Sequence, residues 1–293
     1  MMTPPDEPAS GLGAAGTLRA EQSFEPDSWT ALRAFTPARI ALGRTGASQP
    51  TSAQLAFGLA HAKARDAVHA ALGVDALEAS LRADGVEVLR ARSRAADRPT
   101  YLRRPDLGRR LDDESVSRLR AAAPAVPPDL AFVVADGLSA VAVARHAAPL
   151  LRAARARLPG WRIGPVTIAL QARVALGDEV GEALGARAVA LLVGERPGLS
   201  SHDSLGIYLT WAPRVGRSDA ERNCISNVRP EGLSYDEAAA TLARLLEGAR
   251  ALGATGVGLK DDAEALSAAP AGRIAGTGGE VDADGPPGTP ERG

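Results

Sequence analysis

The feature that most constrains this chain is a set of short, predominantly apolar runs in its second half, separated by helix-sized segments. Leu130–Ala135 (LAFVVA) is the first, Pro165–Gln171 and Ala188–Val193 follow, and Ser204–Trp211 adds a fourth strand. A strand with one wet face alternates polar and apolar residues, whereas a run apolar at every position is covered on both faces. Between these runs Leu138–Leu158 reads as a long helix and Asp178–Leu184 as a short one. Ser234, with Glu237 three residues on, is a capping box that opens a helix to about Leu252. Buried strands alternating with helices predict an α/β fold: a doubly wound, mostly parallel, Rossmann-like sheet. Such sheets bind ligands beyond the carboxyl ends of their strands.

The first half has a different grammar. A helix is predicted from Thr51, capped with Gln54, to about Leu72, where Gly73 ends it. Leu55, Leu59, Ala62, Val68 and Leu72 make its apolar stripe. Ala76–Ala83 reads as helix, Val86–Leu89 as a short strand, Tyr101–Arg110 as a loop and Asp113–Ala121 as helix. Pro124, Pro127 and Pro128 then break the chain and mark a domain boundary. The organisation predicted is a mainly helical N-terminal region over 28–125 and an α/β domain over 126–262. Gly and Pro, 31 and 21 of 293 residues, crowd the two ends. Residues 1–27 and 263–293 lack an apolar period and read as disordered tails.

Charge excludes whole classes of partner. Lys plus Arg (34) against Asp plus Glu (35) leaves a formal charge of −1, so no electrostatic footprint for nucleic acid or acidic membrane exists. Lys63 and Lys260 are the only lysines. Arginine suits bidentate pairing with carboxylate or phosphate, and the same skew also follows from a bias in nucleotide composition. One cysteine, Cys224, excludes an intramolecular disulfide and a Cys-based zinc cluster. Four histidines without HExxH spacing leave little for a metal site, and none is predicted. The start, MMTPPDEPAS, lacks the basic and apolar regions of a secretory signal, and no apolar run approaches the ~20 residues of a membrane span. A soluble, cytoplasmic protein is expected.

Two glycine motifs are decoys. Gly11–Gly16 (GLGAAG) spells a dinucleotide fingerprint without the preceding strand that would aim its amides at a pyrophosphate, and Gly253–Gly258 follows a helix. His61, Arg65 and His69 share one helix face beside Asp66, either a contact face for a partner or a solvated face with an Arg–Asp pair. Three segments carry the rest: Asp136–Ser139 after the first apolar strand, Gly194–Ser201 after the third, and Asn223–Asn227 after the fourth, read as loops. Each has a plainer reading, with Asp136 or Ser139 as a helix cap and Cys224 as a small buried hydrophobe. Clustered at one sheet edge, they predict a ligand pocket. The residues alone do not say for what.

Six runs, in order, carry a resemblance. They are LGRTGASQPT (Leu42–Thr51), LAHAKARDAVH (Leu59–His69), YLRRPDLGRRL (Tyr101–Leu111), VVADGLSA (Val133–Ala140), LLVGERPGLSSHDSLGIYLTWAPRVGR (Leu191–Arg217) and ERNCISNVRPEGLSYDEAA (Glu221–Ala239). Over about Trp29–Asp262 the chain resembles the small, or light, subunit of ethanolamine ammonia-lyase. The resemblance implies an adenosylcobalamin-dependent lyase that converts ethanolamine to acetaldehyde and ammonia. It further implies a large subunit with a TIM barrel that carries the substrate site and radical chemistry, in a hetero-oligomer with six copies of each subunit. The cobalamin would lie between that barrel and this chain's α/β domain, with no catalytic residue on this chain. Carried over residue by residue, the cobalamin contacts fall at Val174, Glu195 and Cys224. Val174 would pack on the corrin, Glu195 would accept a hydrogen bond from a corrin amide, and Cys224 would offer a small apolar surface and backbone amides. Arg103, Arg104, Arg109 and Arg110 would anchor the large subunit or form a solvated basic loop. Some relatives use an amphipathic N-terminal segment for packaging into a bacterial microcompartment; residues 1–19 here are rich in Pro, Gly and Ala.

Two other classes stay open at this point. One is a stand-alone hydrolase or transferase using Asp136, Ser139 or His202 in the same pocket; the other is a purely structural partner subunit. Length bears on the choice. A TIM barrel needs roughly 250 residues, and the part of the chain outside the tails already reads as a helical region plus an α/β domain.

Overall fold

The computed structural model describes residues 24–260. The compositional tails lie outside them except for residues 24–27, as does the Gly11–Gly16 motif. In chain order the elements are strands β1 (Phe24–Glu25) and β2 (Arg44–Thr45), helices α1 (Thr51–His69) and α2 (Val74–Ala83), strand β3 (Val88–Arg92), and helices α3 (Arg98–Arg103) and α4 (Asp113–Ala121). Then come β4 (Leu130–Ala135), α5 (Ala140–Ala156), β5 (Val166–Leu170), α6 (Leu176–Ala183), β6 (Ala188–Gly194), β7 (Leu205–Trp211), β8 (Arg222–Val228) and α7 (Tyr235–Leu252). β1 and β2 form a small antiparallel pair, and the other strands make a six-stranded sheet in the order β3-β5-β4-β6-β7-β8. β3, β5, β4 and β6 run parallel, while β7 and β8 are added antiparallel.

The apolar runs are explained by two cores, one on each face. In β4, Leu130, Phe132 and Val134 enter the core beneath α2, α5 and α7, while Ala131, Val133 and Ala135 enter the core beneath α4 and α6. β6 divides the same way, Ala188, Ala190 and Leu192 against Val189, Leu191 and Val193. Each Leu, Val or Phe taken out of water contributes roughly 1.5–3 kcal/mol, so a polar substitution at any of these positions is costly. The register Val134↔Ile168 and Val134↔Leu192 stacks the three central strands level, which brings the carboxyl ends of β4, β5 and β6 to one edge.

Caps set the helix ends. Ser139, Asp112 and Asp97 accept the amides of Ala142, Ser115 and Thr100, and the Ser234–Glu237 box opens α7, which closes on left-handed Gly253. Three expectations need correction. The Thr51–Gln54 cap does not form, because Pro50 is the N-cap of α1 and makes no side-chain bond. Tyr101–Arg110 is not a plain loop: Asp97 nucleates α3 through Arg103, and Leu107–Arg109 is a turn of 3-10 helix. Asn223–Asn227 is not a loop either but most of β8, whose pairing with β7 outweighs its polar composition. The stripe predicted along α1 is split: Leu55 and Leu59 are 69% and 57% exposed, Ala67 is the helix's buried residue, and Leu72, past the helix end, packs against the core.

Candidate functional site

The parallel strands open a cleft at their carboxyl ends. One part, about 420 Å³, is walled by Leu138, Val174, Val193, Glu195 and Tyr208, with Tyr101 at its base. A neighbouring part, about 570 Å³, shares Arg173, Val174 and Tyr208 with the first and is lined further by Arg109, Arg217, Arg222 and Asp219. The first part is mainly apolar and the second arginine-rich. A smaller cavity of about 290 Å³ lies at the opposite end, by Pro128, Arg162 and the start of β5.

Two glycines shape the apolar part. Gly137, at φ +55, packs so closely that an added Cβ would lie 2.3 Å from the Gly194 carbonyl oxygen, and one on Gly194 would lie 2.1 Å from that of Ser139. The Leu138 amide donates to the Gly194 carbonyl at 2.9 Å. Only a residue without a side chain permits this approach. Asp136, buried beneath, accepts the amides of Ala172 and Gln171 at 3.0 Å each, so it ties β4 to the turn after β5 and does not cap α5. Burial pushes its carboxyl up, against the pull of those amides and of Arg98. Gln171 takes a left-handed φ of +52, strain of the kind that persists where surrounding bonds fix the backbone.

Tyr101 is the residue that sequence reasoning missed. Its ring lies between two guanidinium groups, Arg98 at 4.7 Å and Arg173 at 4.6 Å from the centroid. Its hydroxyl donates to the Ala172 carbonyl, and burial pushes its pKa up to about 12 despite both cations. Arg98 ties α3 to α1 and to the loop after β4. It donates to the Val68 carbonyl of α1 at 2.7 Å and to the Gly137 carbonyl at 2.8 Å, and lies 3.6 Å from Asp136. Arg173 donates to the Tyr101 carbonyl, but its Nε is buried without an acceptor in the protein. A buried donor left unmade costs about 1–3 kcal/mol, more when charged. Tyr101 and Arg173 are far apart in sequence, so the signal available was only that Tyr101 is one of three tyrosines.

The predicted contacts fall as follows. Val174 and Glu195 line the same cleft. The Glu195 carboxylate accepts the Asn227 amide at 3.2 Å and lies over Gly206, where a Cβ would meet its Oε1 at 3.0 Å. Cys224 does not line the cleft; it sits opposite Tyr208 in the β7–β8 ladder, is exposed, and has its Sγ 3.2 Å from the Ser226 hydroxyl. Burial and the neighbouring Cys224 and Glu195 hold the Tyr208 hydroxyl well above its ordinary pKa. Of the four arginines near α3, Arg104 pairs with Asp106 and Arg110 with Glu179, Arg103 bonds the Pro99 carbonyl, and the Arg109 side chain has no partner among the described residues. His61, Arg65 and His69 lie exposed on α1, Arg65 beside Asp66 at 3.6 Å.

No hydrolytic arrangement is built. The buried Ser139 hydroxyl donates to the backbone carbonyl of His202 at 3.0 Å, not to a ring nitrogen, and accepts the Ala142 amide as the cap of α5. Among the described residues there is no group of three or more His, Cys, Asp or Glu that could hold a metal ion, and no helix long and apolar enough to cross a membrane.

The chain is thus a mixed α/β protein with an open cleft at the carboxyl ends of its parallel strands. The chain matches the family model described as Ethanolamine ammonia-lyase light chain (EutC) over residues 26–260. It is 59% identical over 240 residues to the ethanolamine ammonia-lyase small subunit of Azotobacter vinelandii, covering 80% of this chain and 89% of that protein. The small subunits of Xanthomonas campestris and Ralstonia nicotianae are each 58% identical, over 81% and 80% of this chain and 89% of theirs. The chain belongs to the ethanolamine ammonia-lyase light-chain family.

Proposed function

We propose that this chain is the small subunit of an adenosylcobalamin-dependent ethanolamine ammonia-lyase and holds one face of the cobalamin against a catalytic large subunit. The observation that carries the reading is the meeting of Val174 and Glu195 in one open cleft at the strand ends. The cleft suits a corrinoid in kind. Its apolar wall of Leu138, Val174 and Val193 offers packing for a macrocycle, and Glu195 an acceptor for amide side chains. Its parts, about 420 and 570 Å³ and open to solvent, match a small ligand each. A corrinoid would therefore stand proud of the surface, its other face covered by a partner.

Cobalamin, when bound, supplies the radical chemistry; this chain's residues bind and orient it. Val174 would lie against the ring, Glu195 would fix one edge, and Cys224 would act through Tyr208 and the β8 backbone. The tight Gly137–Gly194 contact keeps that floor from shifting. On this reading residues 126–262 form a doubly wound, Rossmann-like cofactor domain, preceded by the mainly helical region 28–125. β3 and α2 extend the sheet and its core from that region. The large subunit, read as a TIM barrel present in six copies with six of this chain in the cytoplasm, would hold the substrate site.

The test is co-expression with a candidate large subunit, purification, and assay of ethanolamine turnover with added adenosylcobalamin. The reading expects a stable complex that is active only with both chains and cofactor. Full cobalamin binding by the large subunit alone, or activity from this chain alone, would contradict it.

A further inference from the structure

The arginine-rich part of the cleft has a charge pattern that the corrin contacts do not use. Four arginines and one carboxylate, Asp219, line it. Two of the arginines are already neutralised: Arg222 by Asp178 and Asp219, Arg217 by Glu221. The other two, Arg109 and Arg173, have no ion pair among the described residues, unlike Arg98, Arg110 and Arg145. They are held side by side because the Arg173 amide donates to the Gly108 carbonyl at 2.8 Å, and Gly108 lacks the Cβ that would meet Arg173 Cγ at 2.9 Å. The Arg173 guanidinium is fixed further by its stack on Tyr101, with Nε buried and unbonded. One guanidinium fixed by its stack, Arg173, and a second, exposed one on the adjoining turn, Arg109, place two cationic donors beside one cavity, a pairing suited to phosphate oxygens.

We propose that Arg109 and Arg173 form an anion subsite that takes the phosphodiester of the cofactor's nucleotide tail. The proposal rests on the cobalamin reading and extends it by assigning the two halves of the cleft to two chemistries: corrin on the Val174–Glu195 side, phosphate on the Arg109–Arg173 side. A diester carries one negative charge, which two cations satisfy without a metal.

The experiment uses the assembled two-subunit complex and two probes, cyanocobalamin and dicyanocobinamide, the second lacking the nucleotide loop and its phosphate. Equilibrium binding is read by the absorbance of retained corrinoid for the unaltered complex, for Arg109→Gln and for Arg173→Gln. Arg109 is exposed and its side chain bonds none of the described residues, so its variant keeps the proposal testable if Arg173→Gln disturbs Tyr101. The expected result is an affinity for cyanocobalamin about 10-fold weaker in each variant (~1.4 kcal/mol), with affinity for dicyanocobinamide changed less than about 2-fold. Inorganic phosphate should compete with cyanocobalamin and not with dicyanocobinamide. Equal loss for both probes, or no loss for either, overturns the subsite and leaves the cobalamin reading standing. Phosphate binding alongside bound cyanocobalamin, without competition, would assign the subsite to free phosphate and overturn the diester. Failure of the unaltered complex to bind either corrinoid would remove the cobalamin reading, and this proposal with it.

Discussion

Gly194 leaves Gly137 no space for a side chain: a Cβ on Gly137 would lie 2.3 Å from the Gly194 carbonyl oxygen. The contact joins the loop after β4 to the end of β6 and sets the floor of the cleft. Gly137→Ala combines a left-handed backbone penalty of about 1–2 kcal/mol with an overpacking cost of about 1–3 kcal/mol. Urea denaturation should show a loss of about 3 kcal/mol. A loss below about 1 kcal/mol would mean that the floor relaxes and does not constrain the cleft.

Arg98 holds α1 to the sheet through Val68 and faces Asp136, both side chains being largely buried. Removing one partner of such a pair leaves the other charge uncompensated, at a cost of about 3 kcal/mol. Arg98→Leu should destabilise by about that amount and speed amide exchange along α1. Asp136→Asn in the same background should recover part of the loss, because the buried charge is then gone. Full additivity of the two changes would deny the coupling.

Acid should loosen the rim of the arginine-rich cavity. The Ser218 amide, then Arg217, hold the Glu221 carboxyl down to about 2 from its ordinary 4.5. A carboxyl with a depressed folded pKa adds stability above the unfolded value and loses it as pH falls toward the folded one. Stability should therefore decline between about 4.5 and about 2 with a component that Glu221→Gln removes. An unaltered pH slope in the variant would place the acid sensitivity elsewhere.

How far the sequence carried this account depended on whether burial was two-sided. β4 and β6 were legible because a strand covered on both faces must be apolar throughout, and Leu130–Ala135 and Ala188–Gly194 are buried at every position. β8 was not, since at the edge of the sheet it buries only Arg222, Ile225 and Val228, without the two-residue period of a strand, and RNCISNV reads as loop. Ser234 and Glu237 announced α7, but Thr51 could not cap α1 once Pro50 took that place. The cleft's polar loops were found from their position after strands. The Arg98–Tyr101–Arg173 stack was not, because no local pattern joins residues brought together only by the fold.

The apolar stripe of α1 was legible too, although its destination was not. Leu55 and Leu59, one turn apart on that stripe, are 69% and 57% exposed, and a free-standing chain rarely keeps an apolar patch in water. If the large subunit covers it, Leu59→Glu should weaken assembly by about 10-fold or more (~1.4 kcal/mol), measured by sedimentation of mixed subunits. Unchanged assembly would leave that face to another contact.

The central claim is that this chain's cleft holds the cofactor, and a corrinoid titration tests it most directly. Adenosylcobalamin is titrated into the large subunit alone, the complex, and the complex carrying Glu195→Ala, with turnover of ethanolamine followed at each point. The account predicts weak binding by the large subunit alone and tight binding by the complex. For Glu195→Ala it predicts affinity about 10-fold lower (~1.4 kcal/mol), with turnover at saturation largely kept. Affinity that is unchanged by Glu195→Ala and the same with or without this chain would contradict it.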